Sequence, residues 1–125
     1  MPIYNKIKAN MAIPSEVQAL IDRLNQELAQ IEREASEASN IVRSLLLRFS
    51  DNVTLIGLFA TLSNALLFVE NSRRRIQTTV ESISPENVRS QVIQEAGEDL
   101  AELLGRVLET KMLVNTVITR LDNLR

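Results

Sequence analysis

The chain contains neither cysteine nor histidine. Without thiols there are no disulfides and no thiolate nucleophiles. Without imidazole the usual general base and the commonest ligand of zinc, copper and iron are missing too. Tryptophan is absent and aromatic residues make up only 3% of the chain. The stacking platforms that hold single strands or sugars are therefore largely missing, and a pocket, if there were one, would be aliphatic. Charge of one sign is equally scarce. The 14 basic and 16 acidic residues leave a net charge of -2, which gives nucleic acid or an anionic membrane no overall electrostatic footprint. No serine, lysine or tyrosine is accompanied by a recognisable base or oxyanion loop, so neither an enzyme nor a cofactor is expected.

Long apolar runs are also missing. Near the N-terminus Ile3, Tyr4, Ile7, Met11 and Ile13 are interrupted by Asn5 and Asn10, which does not read as a signal peptide. The most apolar stretch, Val53 to Val69, has no charge, yet it carries Thr54, Thr61, Ser63 and Asn64. It falls short of the ~20 residues that span a bilayer and reads as a buried helix. The expected compartment is the cytoplasm, with no membrane span and no small-molecule ligand.

What the sequence does contain is helical periodicity. Pro14-Ser15 with Gln18 three residues on has the form of a capping box. From there apolar or small residues recur at Val17, Ile21, Leu24, Leu28, Ile31, Ala35, Ala38, Val42, Leu45 and Phe49. The spacing alternates between four and three, an unbroken heptad seam. Ser50-Asp51-Asn52 should end this helix and cap the next. A second seam runs Leu55, Phe59, Leu62, Leu66, Val69, Arg73, Ile76, Val80 and Ile83, with a charge on it at Arg73. Ser84-Pro85-Glu86 has the form of a helix start: a cap, a proline at the first helical position and an acid at the positive dipole end. The third seam runs Ile93, Ala96, Leu100, Leu103, Val107, Thr110, Val114, Val117, Leu121 and Leu124. Gly97 and Gly105 lie inside this helix, where each costs about 1 kcal/mol relative to alanine. Close packing against another backbone, or a kink at Gly97, would account for them.

The expected fold is all-α: an antiparallel up-down-up bundle of three long helices, about 15–49, 53–83 and 85–124. It forms a single domain over 14–125, preceded by an arm or short amphipathic turn at 1–13. In this layout the end of the rod at the first turn collects the most apolar surface. Ile56, Ala60, Ser63 and Leu67 make a second stripe on the second helix, beyond what two neighbours are expected to cover. An interface at that end, through Leu46, Leu47, Ile56, Leu67, Phe68, Met112 and Leu113, would serve a homodimer or another helical protein.

Residues Ile13 to Glu32, Ile-Pro-Ser-Glu-Val-Gln-Ala-Leu-Ile-Asp-Arg-Leu-Asn-Gln-Glu-Leu-Ala-Gln-Ile-Glu, resemble the helical spacer of type I restriction-modification specificity subunits. Gln18, Leu20, Ile21, Arg23, Leu24, Asn25, Leu28 and Ile31 occupy the places of that family's motif. Asn25 stands where the family has an acid, and Glu27 where an apolar residue is common. The match covers residues 13–32 of the 125-residue chain. It implies a helix that packs antiparallel to another and holds protein domains apart, as an accessory spacer-like component of such a system. It does not imply DNA reading, which in that family belongs to large mixed α/β domains.

Two charge clusters stand out. Glu95, Glu98, Asp99 and Glu102 fall on one helix face. This is a solvated acidic stripe or, as the other reading, a carboxylate site for Mg²⁺ or Ca²⁺ that lacks the histidines bundle metal sites usually employ. Arg73-Arg74-Arg75 has the composition of a phosphate-binding patch. Successive helical residues point about 100° apart, however, so the three do not form one fork, and no nucleic-acid binding is expected. With the second turn centred on Ser84, Arg73 should face Glu95 or Glu98, an ion pair that penalises slipped registers.

Overall fold

The computed structural model describes residues 13–124, which form three long helices and, among these residues, no strand. α1 is Ser15–Arg48, α2 is Val53–Ile83 and α3 is Ser90–Leu124. Each packs against both others, which makes the expected three-helix bundle. The expected arm falls, apart from Ile13, outside the described residues.

α1 begins without the expected capping box. Pro14 is the cap residue and makes no side-chain cap hydrogen bond. Its carbonyl accepts from the Gln18 N–H at 2.9 Å, while the Gln18 side chain donates forward to Asp22 at 3.0 Å. Proline's fixed φ, here -56°, already presents the carbonyl for the first helical bond. The seam holds from Val17 to Val42, with Leu24, Leu28, Ile31, Ala35 and Val42 at 0% exposure, and Leu45 is partly buried. Phe49 leaves the helix and is 55% exposed. Asn52 then caps α2 as expected, its side-chain oxygen accepting from the Leu55 N–H at 3.0 Å.

In α2 the buried stripe is Leu55, Leu58, Leu62, Ala65, Val69, Ser72, Ile76 and Ile83. The expected seam therefore rotates by one residue at three places: Leu58, Ala65 and Ser72 are inside, while Phe59, Leu66 and Arg73 flank the stripe. Ser72 in place of Arg73 has a direct cause, since a small hydroxyl is far cheaper to bury than a guanidinium. The flanks are closed by arginines from the neighbouring helices. The Arg43 guanidinium lies 5.5 Å from the Phe59 ring centroid, on the α1 side, and that of Arg106 lies 5.8 Å from Phe68, on the α3 side. Both arginines are exposed, so each guanidinium lies against a ring while keeping its contact with water.

The second turn differs from the sequence reading. Ser84, the C-cap just past Ile83, keeps helical angles, and its hydroxyl donates back to the Val80 carbonyl at 2.6 Å instead of capping a helix ahead. Residues 85–89 form the connection, and α3 starts at Ser90, with the N–H groups of Val92 and Ile93 bonding to the Arg89 carbonyl. α3 starts more than a turn later than Pro85, which shifts the register. Arg106 sits level with Phe68, so Arg73 is level with residues near 101 rather than 95. α3 then runs unbroken through Gly97 and Gly105. A Cβ at Gly97 would meet Val17 Cγ2 at an ordinary 3.7 Å, and at Gly105 nothing lies within 4 Å. Packing within the bundle therefore requires neither glycine.

Two polar residues, Ser39 and Ser72, are buried with the core. Ser39 is 5% exposed and its hydroxyl has no hydrogen-bond partner. Removing an orphaned buried hydroxyl and gaining alanine's helix propensity act in the same direction. Ser39→Ala is expected to stabilise the protein by about 1 kcal/mol, read as a higher urea midpoint at unchanged slope.

Candidate interaction surface

The eight large apolar side chains that stand exposed among the described residues are Leu47, Phe49, Val53, Ile56, Leu67, Met112, Leu113 and Leu124. Their placement follows from the register. Val17 beside Gly97 and the Glu27–Lys111 ion pair set α1 and α3 parallel, and Arg43 over Phe59 together with the Arg73–Glu32 pair sets α2 antiparallel to α1. All eight then lie between about the middle of the rod and the end at the first turn. The most open are Leu47 at 89% and Val53 at 81%.

Of the seven side chains expected at an interface, five are open: Leu47, Ile56, Leu67, Met112 and Leu113. Leu46 and Phe68 are partly buried against the core, Phe68 beneath Arg106. Phe49, Val53 and Leu124 join the open set. Phe49 and Leu124 continue the α1 and α3 seams in sequence but are open, because the first lies past the end of its helix and the second is the last residue of its own.

The outer face of α2 is the coherent part of this surface. Val53, Ile56, Gly57, Ala60, Ser63, Asn64 and Leu67 are all exposed, and no charge interrupts the helix before Glu70. Beside it, an open groove between α2 and α3 is lined by Thr54, Gly57, Thr61, Leu113, Thr116 and Arg120, among others. The Thr61 hydroxyl donates to the Gly57 carbonyl and that of Thr116 to the Met112 carbonyl, both at 3.0 Å. By length and composition α2 is apolar enough to cross a membrane, and 28% of its most apolar window is buried in the bundle.

The charge clusters arrange differently. Arg73 pairs with Glu32 of α1, not with Glu95 or Glu98. Those two accept instead from Gln91 and Gln94 of their own helix, at 3.2 and 3.3 Å. Arg73 lies on the flank of α2 that faces α1, where it lines a groove with Glu32, Ser36 and Leu66, and not on the side of α3. Arg74 pairs with Glu70 at 2.7 Å, and Arg75 lines a groove with Phe68, Asn71 and Arg106. The three arginines thus diverge onto different partners. Glu95, Glu98, Asp99 and Glu102 are all exposed, and no group of three or more such residues among those described could hold a metal ion. With Arg73 and Glu32 side chains 44% and 46% exposed, Arg73→Leu is expected to change stability by less than about 1 kcal/mol, measured by thermal unfolding. A larger loss would mean that the pair holds the helices in register.

One contact escaped sequence reasoning. Lys111 Nζ lies 2.9 Å from Glu27 Oε2, joining α3 to α1, with side chains only 27% and 17% exposed. The available signal was Glu27 itself, an acid where the spacer motif commonly has an apolar residue. Its partner depends on a register that no local pattern supplies.

The chain matches no family model, no curated protein and no solved structure.

Proposed function

We propose that this chain is a non-catalytic helical-bundle protein that works as an oligomerisation or protein-interaction module, with a second copy of itself as the partner. The observation that carries this reading is the gathering of exposed large apolar side chains into one half of the rod. Scattered apolar residues on a surface need no explanation, but a contiguous patch marks a surface that another molecule covers. The opposite half is flanked by charge, as a solvated face should be. On the outer face of α2 and the neighbouring edge of α3, Val53, Ile56, Leu67 and Leu113 each leave on the order of 100 Å² open, about half of the ~800 Å² per partner that a standard-size interface buries, and the small and polar side chains between them add to it.

Two measurements test the reading. Light scattering at micromolar concentration is expected to give twice the 14.1 kDa chain mass, and a monomer mass would count against it. Because α2 is also long and apolar enough to enter lipid, flotation with neutral phosphatidylcholine vesicles provides the second. The protein is expected to stay at the bottom of the gradient, and recovery with the vesicles would make lipid, not protein, the partner.

A further inference from the structure

We infer that two copies pair through α2 in antiparallel fashion, across a two-fold axis at Ala60. This rests on the self-association proposed above and adds its geometry. The starting observation is Gly57. It sits inside a helix, where glycine costs stability, and its backbone adopts no positive φ that would call for glycine. A Cβ placed there meets nothing within 4 Å. The bundle has no use for the missing side chain, and unlike Gly105, which lies between the exposed Glu102 and Glu109, Gly57 lies on a charge-free face that a second helix can approach.

The pattern around Gly57 is self-complementary. With Ala60 on the axis, antiparallel pairing sets Val53 against the partner's Leu67, Ile56 against the partner's Asn64 and Gly57 against the partner's Ser63. Small residues meet at the crossing, where the backbones come closest, and the larger ones meet at the two ends, where the helices diverge. A two-fold interface requires this match, because the same patch serves both sides. Parallel pairing sets Glu70 against Glu70 and Arg74 against Arg74, repelling like charges. The antiparallel arrangement instead brings Glu70 level with the partner's first turn, near the partner's Arg48, and carries Arg74 past the end of the partner's α2. Burial does not strand the hydroxyls of Thr61 and Thr116, which already bond to carbonyls of their own helices. Leu113, 51% exposed and lining the groove beside Gly57 and Thr61, widens the contact.

The absence of cysteine makes the geometry directly readable. Identical residues meet only on a two-fold axis, and a disulfide needs Cα atoms within about 7 Å of each other. Under mild oxidation, Ala60→Cys is expected to convert to a covalent dimer. Gly105→Cys, at an equally open glycine on α3, is expected to remain monomeric on a denaturing gel. Gly57→Leu is expected to weaken association by about tenfold or more with the helical circular dichroism retained, and Gly105→Leu is expected to leave association unchanged. A wild-type dimer in which Ala60→Cys fails to cross-link, or cross-links no better than Gly105→Cys, overturns this geometry and leaves the proposed function standing. A wild-type monomer overturns both.

Discussion

A Leu67→Glu chain is expected to remain folded as a monomer while its self-association weakens by about 100-fold or more, roughly 3 kcal/mol. Leu67 is 55% exposed in the single chain, so a carboxylate there is hydrated and costs the monomer little. In a two-fold interface the same substitution occurs twice, and each carboxylate is pressed against an apolar neighbour and loses its water. The measurement is a concentration series by sedimentation velocity, with thermal unfolding followed at 222 nm as the control on folding. Leu67→Glu that still dimerises moves the interface off α2. Leu67→Glu that unfolds makes Leu67 part of the core, contrary to its exposure.

Leu62→Ala is expected to act in the opposite sense, destabilising the fold without touching the outer face. Leu62 is 0% exposed and lies on the stripe of α2 that meets α1 and α3. Truncating a fully buried leucine removes its transfer energy and leaves a cavity, at a cost of about 2–5 kcal/mol, which for a chain of this size lowers the melting midpoint by roughly 10–20 °C. Measuring it in the Leu67→Glu background removes the contribution of association to the midpoint. A shift of only a few degrees would contradict the packing of α2 against both neighbours. Leu62 and Leu67 lie five residues apart on one helix, so the pair separates the inner face from the outer.

The legibility of the fold varied with the redundancy of each signal. α1 could be read almost to its last residue because its seam is flanked by polar side chains, leaving one phase available. In α2 both phases are apolar: Leu58 adjoins Phe59 and Ala65 adjoins Leu66. Periodicity could not choose between them, and the cost of burying Arg73 rather than Ser72 settled the rotation. Ser84-Pro85-Glu86 has the composition of a helix start, but composition does not record that Ser84 stays in the helical region with its hydroxyl turned back on Val80. That one turn displaced the register of α3, while the partner of Arg73 follows from its place on the α1 flank of α2. Long-range pairs such as Arg73–Glu32 and Glu27–Lys111 depend on the register of whole helices, which local spacing does not encode. The apolar bias of the first-turn end was legible because it belongs to composition summed over many residues, and an error of one turn leaves it intact.

That bias is the centre of the account. The α2 face is exposed, charge-free from Val53 to Val69, and carries a glycine that the bundle itself does not require; the proposed function assigns a second copy of the chain to cover it. The most direct test is the mass of the wild-type protein by sedimentation equilibrium across low to high micromolar concentration. The account expects about twice the 14.1 kDa of the chain, falling toward one chain on dilution. A mass of one chain throughout that range would contradict it.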